Sequence, residues 1–473
     1  MHSPSRRDRP AVRVVLTALF SAGLLLATLL APQGARAQES ATINGFVTDE
    51  SDGQSLQGAN VLIYQNDSLR TGTATDPEGS YLIRGLRPGE YELRVTFIGY
   101  QSYRDTLRLE PGEVQNANVS LQPGGGEMDE VVVEAQSDAG AARVTAGHQQ
   151  IQPEDLARVP TPDVSGDLAT YLSSQPGIVS TGDRGGQMFI RGGEPTQNVV
   201  RLDYMRLYQP FHVLGFYSSF PSNIIQRTDV YAGGYAARYG GGLSSVIDIT
   251  TRNGNKRGYT GSVSASPFMS SAQVEGPVVP GRISFIGSAR QSMLDIGASE
   301  YVDDDLPFEF SDYFGKIHAR TGEASRLSLT GIWTQDEGTL GTEVAPVGSG
   351  EDVELQAEPS TVRWSNRGLG ARYLVLPQFL PVRATLHLSR TYLNMEQGPV
   401  DEPTRRSTIN HTRMGIDADF PGETTNIEAG WTADFINLDT ELGGLFQNLN
   451  QEIVGLDQVS LYVSPEFSFR NFQ

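Results

Sequence analysis

The chain has 473 residues, 38% of them hydrophobic, a formal charge of −20 and a negative mean hydropathy. This length allows two to four domains, and the composition excludes a bundle of apolar membrane helices while permitting a β-barrel, whose strands alternate apolar and polar residues. The acidic balance excludes nucleic acid as a partner, and the absence of cysteine excludes structural disulfides, Cys-ligated zinc, a thiol nucleophile and a lipidated cysteine. Only two lysines, Lys256 and Lys316, stand against 34 arginines.

The N-terminus carries Arg6, Arg7, Arg9 and Arg13, then the apolar run Val14–Leu30, then Ala35-Arg36-Ala37. Basic, apolar and small-residue regions in that order describe a secretory signal peptide over residues 1–37, cut after Ala37; the alternative is a single membrane anchor. Its removal takes away five arginines and one aspartate and leaves a charge of −24. From Ala41 to Gln122 apolar residues recur with period two, in runs separated by the turn formers Asp76-Pro77-Glu78-Gly79 and Arg87-Pro88-Gly89. This pattern predicts a small β-sandwich of about seven strands over residues 41–122. Gly45, Asp49, Gly58-Ala59, Thr75-Asp76, Gly79, Pro88-Gly89-Glu90-Tyr91 and Gly99-Tyr100 resemble the carboxypeptidase regulatory-like domain. None of the six histidines begins an H-x-x-E or H-E-x-x-H pair, and no G-x-S-x-G or Walker-type loop occurs. An enzyme, a metal site and a cofactor are therefore not expected.

A linker with flexible Pro123-Gly124-Gly125-Gly126 occupies residues 123–147 and contains Asp129-Glu130-Val131-Val132-Val133. Three β-branched residues beside acids form a strand that an unpaired sheet edge can capture, or an ordinary edge strand of the preceding sandwich. Residues 148–254 begin with short helices expected at Glu154–Leu156 and Ser165–Ser174, the second with Leu168, Tyr171 and Leu172 at helical spacing. Short apolar runs follow at Met188–Ile190, Asn198–Leu202 and Val246–Thr250, punctuated by glycine pairs and triplets. The ordered series L-x-x-x-P-G-I at Leu172–Ile178, F-I-R-G at Phe189–Gly192, R-L-D at Arg201–Asp203 and the long motif Tyr231–Arg252 resembles the plug domain of TonB-dependent outer-membrane receptors. The resemblance implies an α+β plug with Arg191, Gly192, Tyr239 and Gly240 in its motifs, and a TonB box at Asp129–Val133 that the inner-membrane energy-coupling complex adds as a strand and pulls. Tyr204 stands where the family commonly has glycine, which leaves the turn there open. The aromatic stretch from Tyr208 to Tyr217, with His212, either faces incoming ligand or packs the plug against a barrel wall. Arg191, Arg201, Arg238 and Arg252 are expected in ion pairs with barrel acids.

Beyond Gly254 the texture changes to repeated hairpins. Ten strands are expected near 259–266, 269–276, 282–290, 310–320, 326–334, 361–375, 382–394, 410–419, 426–437 and 456–464. From the second strand onward the connections alternate short and long, as the periplasmic turns and extracellular loops of a transmembrane barrel do. The acid clusters Asp303-Asp304-Asp305 and Glu351-Asp352 read as solvated loop tips. Plugged transporters use about 22 strands, so residues 255–473 are expected to supply part of an antiparallel barrel, the N-terminal portion of a longer receptor. The expected fold is thus mainly β: signal peptide, sandwich, plug and partial outer-membrane barrel. What the resemblance implies is energy-coupled uptake of a small ligand such as an iron chelate or another nutrient, with outer-membrane lipid and the TonB complex as partners. The alternative is a surface-exposed binding or adhesion protein that uses the sandwich without transport.

Overall fold

The computed structural model describes residues 40–124, 147–159, 166–181, 187–212, 217–267, 269–293, 308–340, 360–398, 405–422, 425–442 and 451–467. The expected signal peptide and the segment Asp129–Val133 lie outside the described residues.

Eight strands form the sandwich: β1 (Ala41–Asp49), β2 (Asn60–Gln65), β3 (Ser68–Ala74), β4 (Ser80–Leu86), β5 (Gly89–Thr96), β6 (Tyr103–Leu109), β7 (Val114–Asn116) and β8 (Val119–Leu121). One sheet runs β3-β2-β5-β6; in the other, β1 pairs with β4 on one side and with both β7 and β8 on the other. The period-two residues Ile43, Val47, Val61, Ile63, Leu93 and Val95 meet between the sheets. The count exceeds the expected seven because Asn118 turns its side chain to accept from the Phe46 amide at 3.0 Å, which interrupts the last strand and splits it in two.

The plug contains β9 (His148–Ile151), α1 (Pro153–Leu156), α2 (Leu168–Ser173), β10 (Ile178–Thr181), β11 (Gln187–Ile190), β12 (Asn198–Leu202), β13 (Met205–Leu207), β14 (Ile225–Tyr231) and β15 (Ser245–Thr251). Five of its strands build one sheet in the order β13-β12-β15-β14-β9, with β12 and β15 parallel. Strands β10 and β11 form a separate pair. Asp167 caps α2 by accepting from the Ala169 amide at 2.7 Å, and Leu168 and Leu172 enter the core with Ile190, Leu202, Phe220 and Ile247. Strand β14 escapes a pattern search because its sequence places Arg227 and Asp229 within the sheet, paired to each other.

Ten antiparallel strands follow, each paired with its neighbours in sequence: β16 (Thr260–Ala265), β17 (Met269–Val279), β18 (Ile283–Ser292), β19 (Phe308–Gly322), β20 (Ser325–Leu340), β21 (Ser360–Val375), β22 (Arg383–Gly398), β23 (Arg405–Phe420), β24 (Thr425–Leu442) and β25 (Gln451–Phe467). From β19 onward the strands run 15 to 18 residues. Crossing the hydrocarbon layer needs only about ten, so they continue beyond it, and residues expected in the long connections extend the ladders instead. Alternate side chains face opposite ways. Tyr313, Ile317, Leu329, Trp333, Leu369, Leu386 and Leu388 point outward and are exposed, whereas Asp312, Lys316, Thr330, Thr334, Asp336, His387 and His411 point inward and are buried.

An apolar belt outside and a polar wall inside is the inversion that lipid demands. Replacing Leu369, midway along β21, with Arg is expected to lower barrel stability in bilayers by about 2–4 kcal/mol, and the same change at a strand end by about 0–1. The urea midpoint of the membrane-embedded protein measures both; equal effects would argue against a lipid-facing belt.

Candidate functional site

The most constrained part of the molecule is the surface on which the plug meets the inner barrel wall. It begins at the hairpin joining β12 to β13, where Asp203 (φ 45°) and Tyr204 (φ 71°) both adopt positive φ. A two-residue turn of this hand favours glycine at its second position. The structure keeps the turn with tyrosine there, and holds the strained residue by stacking: the ring lies 4.7 Å from the imidazole of His387 and 4.8 Å from the Arg201 guanidinium. The next residue, Met205, is fully buried against β21. A Cβ on Gly368 would stand 3.2 Å from its sulfur and one on Gly370 2.9 Å from its Cγ, so these two wall glycines form the recess it fills.

Beside this hairpin lies a buried ion pair. Asp203 accepts from the Thr251 amide at 3.0 Å and from the Thr330 hydroxyl at 3.0 Å, and its Oδ2 lies 3.0 Å from Nζ of Lys316 on β19. Lys316 also donates to the Thr251 carbonyl at 2.9 Å. Burial raises the Asp203 carboxyl, but Lys316 and Arg372 pull it down further, and it stays below the ordinary carboxylate range.

Towards the long-loop end, a chain of charges crosses the same boundary. Asp167 of the plug accepts from the Ser218 amide at 3.0 Å and hydroxyl at 2.9 Å and pairs with Arg290 of β18 at 3.6 Å. Arg290 binds Asp312 of β19 at 2.6 Å and donates to the Ser218 carbonyl. His212 completes the chain, with Nε2 3.0 Å from Asp312 and Nδ1 2.8 Å from Asp336 of β20, its ring stacked at 4.0 Å on Phe310. Only an imidazolium donates from both nitrogens. Burial lowers the His212 pKa, the two carboxylates outweigh it, and the group is raised to about 9. Burial pushes Asp167 up to about 6 against the opposing effect of Arg290.

The remaining residues singled out from sequence are dispersed. Tyr208 hydrogen-bonds His411 Nδ1 at 2.9 Å, and Tyr217 packs on Phe310 and Met269, so with His212 all three are engaged with the wall. Arg191, at φ 48°, lines a cleft with Gly147, Gln149, Gln175 and Val230. Gly192 and Gly240 have φ of 79° and 47° with open space where a Cβ would stand, so backbone handedness selects glycine at both. Tyr239 is buried under the guanidiniums of Arg201 and Arg238, at 5.2 and 5.0 Å. Arg252 pairs with a barrel acid, Glu275, at 2.7 Å, while Arg201 faces Asp248 within the plug at 3.8 Å. Sequence reasoning missed Asp167, Asp203, Arg290, Asp312, Lys316 and Asp336. The four on the wall, Arg290, Asp312, Lys316 and Asp336, left one signal, a charge at alternate, inward positions of otherwise barrel-like strands. Among the described residues no group of three or more His, Cys, Asp or Glu could hold a metal ion.

A barrel-type sheet with its lumen wall covered by a separate α+β unit defines the class of plugged outer-membrane receptors. Comparison with known proteins agrees. Residues 42–122 match the Carboxypeptidase regulatory-like domain and residues 141–246 the TonB-dependent Receptor Plug Domain. The TonB-dependent transporter Oar of Myxococcus xanthus is 26% identical over 340 residues, covering 67% of this chain and 31% of that protein. The TonB-dependent receptor P3 of Formosa agariphila is 26% identical over 238 residues, covering 49% and 22%. The siderophore receptor PirA from Acinetobacter baumannii shares the fold, with a TM-score of 0.50, 15% identity, and coverage of 68% of this chain and 54% of that one. The chain thus carries the plug domain of TonB-dependent receptors behind a carboxypeptidase regulatory-like domain, and is similar to TonB-dependent transporters over two thirds of its length. It spans less than a third of the length of the curated relatives it matches.

Breaking a buried pair leaves one charge without its counterion, which costs about 3–5 kcal/mol, whereas replacing both partners costs far less. Lys316→Met is therefore expected to lower the urea concentration at which trypsin begins to cut the plug, and adding Asp203→Leu to restore much of it. Equal loss in both variants would count against the pair. The pH dependence follows from the two shifted groups. His212 contributes most below pH 6.5 and loses its contribution as pH rises through 9, on the order of 3 kcal/mol in all. Asp167, raised to about 6, acts in the same direction between pH 3.8 and 6. Proteolysis of the Tyr208–Phe220 region should accelerate from pH 7 to pH 9, and His212→Gln should flatten that profile.

Proposed function

We propose that this chain forms the N-terminal part of an energy-coupled outer-membrane receptor that imports a small ligand, an iron chelate or another nutrient, and performs no chemistry on it. The observation that carries this reading is the polar seat of the plug. An apolar seat would resist release over its whole area, whereas a few buried ion pairs hold the plug tightly and are replaced by water once pulled apart.

The placement of the sandwich supports the same reading. It contacts the short turns of the sheet at Glu323 and Pro421, the end that faces the periplasm in barrels of this kind, rather than the end with the long loops. This disfavours the adhesion alternative, which needs the sandwich at the cell surface. In the proposed mechanism, ligand arriving from the long-loop side disturbs the stretch from Tyr208 to Tyr217. His212 and Arg290 then let go of their partners, and Asp129–Val133 becomes available to the TonB energy-coupling complex as an added strand. Tyr208, His212 and Tyr217 act as sensors through the wall contacts they make. Arg191, Gly192, Tyr239 and Gly240 shape the plug that moves.

Deletion of residues 129–133 is expected to abolish capture of the receptor by the periplasmic domain of the coupling protein while leaving heat-modifiable migration and outer-membrane fractionation intact. Capture that survives the deletion, or release of the protein by a salt wash, would overturn the proposal.

A further inference from the structure

The regulatory-like sandwich is bound to two other parts of the chain at once. At the junction where the plug passes into the sheet, Lys256 donates through its amide to the Asp52 carbonyl at 2.7 Å and through Nζ to the Gly53 carbonyl at 2.6 Å. Gln226, on β14 of the plug sheet, donates to the Pro77 carbonyl at 3.1 Å. On the wall side, Asp76 pairs with Arg383 of β22 and Glu78 with Arg372 of β21. Phe46 is buried with Leu374 and Leu376, and the Arg326 guanidinium lies 3.9 Å above its ring. Asn118 donates to the Glu323 carbonyl at 3.1 Å.

This interface combines one buried aromatic, Phe46, with several largely buried charged contacts. Glu78 is its focus: burial would raise its carboxyl, but Arg372, Arg383 and plug residue Arg227 together hold it below the ordinary range. One acid on a sandwich turn thus answers cations from both the wall and the plug. An interface of this composition is specific and brittle. Each contact has a short reach, and displacement by a few ångströms breaks most of them together.

Chain connectivity decides which interface feels a pull first. Four residues, 125–128, lie between Gly124 of the sandwich and Asp129, whereas thirteen, 134–146, lie between Val133 and Gly147 of the plug. At full extension these arms reach roughly 17 Å and roughly 48 Å. The arm to the sandwich tightens first.

We propose that the sandwich is a mechanical latch on the short-turn mouth: docked, it ties plug to wall, and force applied at Asp129–Val133 detaches it before the plug sheet moves. This rests on the reading of the chain as an energy-coupled receptor, in which force at that segment is the working stroke. The latch makes release sequential. A small tug undocks the sandwich, and in doing so removes the Gln226 and Lys256 contacts that brace the plug from below; only a sustained pull then reaches β9.

The test applies force without relying on the coupling protein. Residues 1–473 hold no cysteine, so Asp129→Cys offers an attachment point for a maleimide handle on the complete receptor, with any cysteine beyond residue 473 replaced by serine, in lipid nanodiscs pulled in optical tweezers. Two ruptures are expected, a weaker one without chain unfolding followed by a stronger one that lengthens the chain. Glu78→Lys, which meets Arg372 and Arg383 with like charge, should abolish the first rupture and leave the second unchanged. Lys256→Ala, which leaves the sandwich untouched, should weaken the first. An Asn118→Cys/Glu323→Cys lock, closed by oxidation before the maleimide handle is attached, should suppress the first rupture and restore it on reduction. Plug extension that precedes undocking, or a first rupture indifferent to both Glu78→Lys and Lys256→Ala, would overturn the latch. Two ruptures in a protein that the coupling domain fails to capture would sink the receptor reading and leave the latch standing.

Discussion

A charge buried on a barrel wall must find its counterion on whatever fills the barrel, and most of the architecture follows from that constraint. Lys316, Arg290, Asp312 and Asp336 point inward because lipid bars them from the other face of their strands. Once inside, they are out of water, and each is answered by the plug or by a neighbour that the plug completes: Asp203 for Lys316, Asp167 for Arg290, His212 for Asp312 and Asp336. The plug is therefore seated by register as much as by shape. A shift of one residue along any of these strands would present the wrong face and strand several charges together. The apolar contribution from the wall is small by comparison, with Ile286, Phe314 and Ile332 joining the plug core.

The two lysines of the chain illustrate how sparingly this interface is built. Both are buried, Lys316 between plug and wall and Lys256 between the sandwich and the plug–sheet junction, and the ammonium of each donates to a backbone carbonyl in addition to any charge it meets. An ammonium satisfies several acceptors around a point, which suits a crowded junction of loops. A guanidinium presents a flat fork, which suits the carboxylates that Arg290, Arg372 and Arg383 engage.

Much of the fold was legible in the sequence because its signals are periodic or ordered. Alternating runs gave the sandwich and the ten-strand sheet, the glycine-rich motif at Tyr231–Arg252 gave the plug, and the short and long connections gave the two ends of the barrel. Strand β14 was illegible because Arg227 and Asp229 satisfy each other inside the sheet, and β7 and β8 because Asn118 breaks what reads as one strand. The seat of the plug was harder still. Asp203 and Lys316 lie 113 positions apart, and nothing local to either marks the pair; only the packing of the β12–β13 turn of the plug against β19 of the wall brings them to 3.0 Å. Tyr204 was the one local anomaly that pointed there. A tyrosine where a turn favours glycine is tolerated only if its ring is held, and His387 and Arg201 hold it.

Seating by charge and release by force make a joint claim about Met205, which is buried in the recess of Gly368 and Gly370 at the centre of the plug–wall contact. The most direct measurement is the reactivity of Met205→Cys, the sole thiol once any cysteine beyond residue 473 is replaced by serine, towards a membrane-impermeant maleimide in living cells with the proton-motive force intact and collapsed. The account predicts negligible labelling in de-energised cells and labelling that rises when the energy-coupling complex is active. Rapid labelling at rest, or a rate indifferent to energisation, would contradict it.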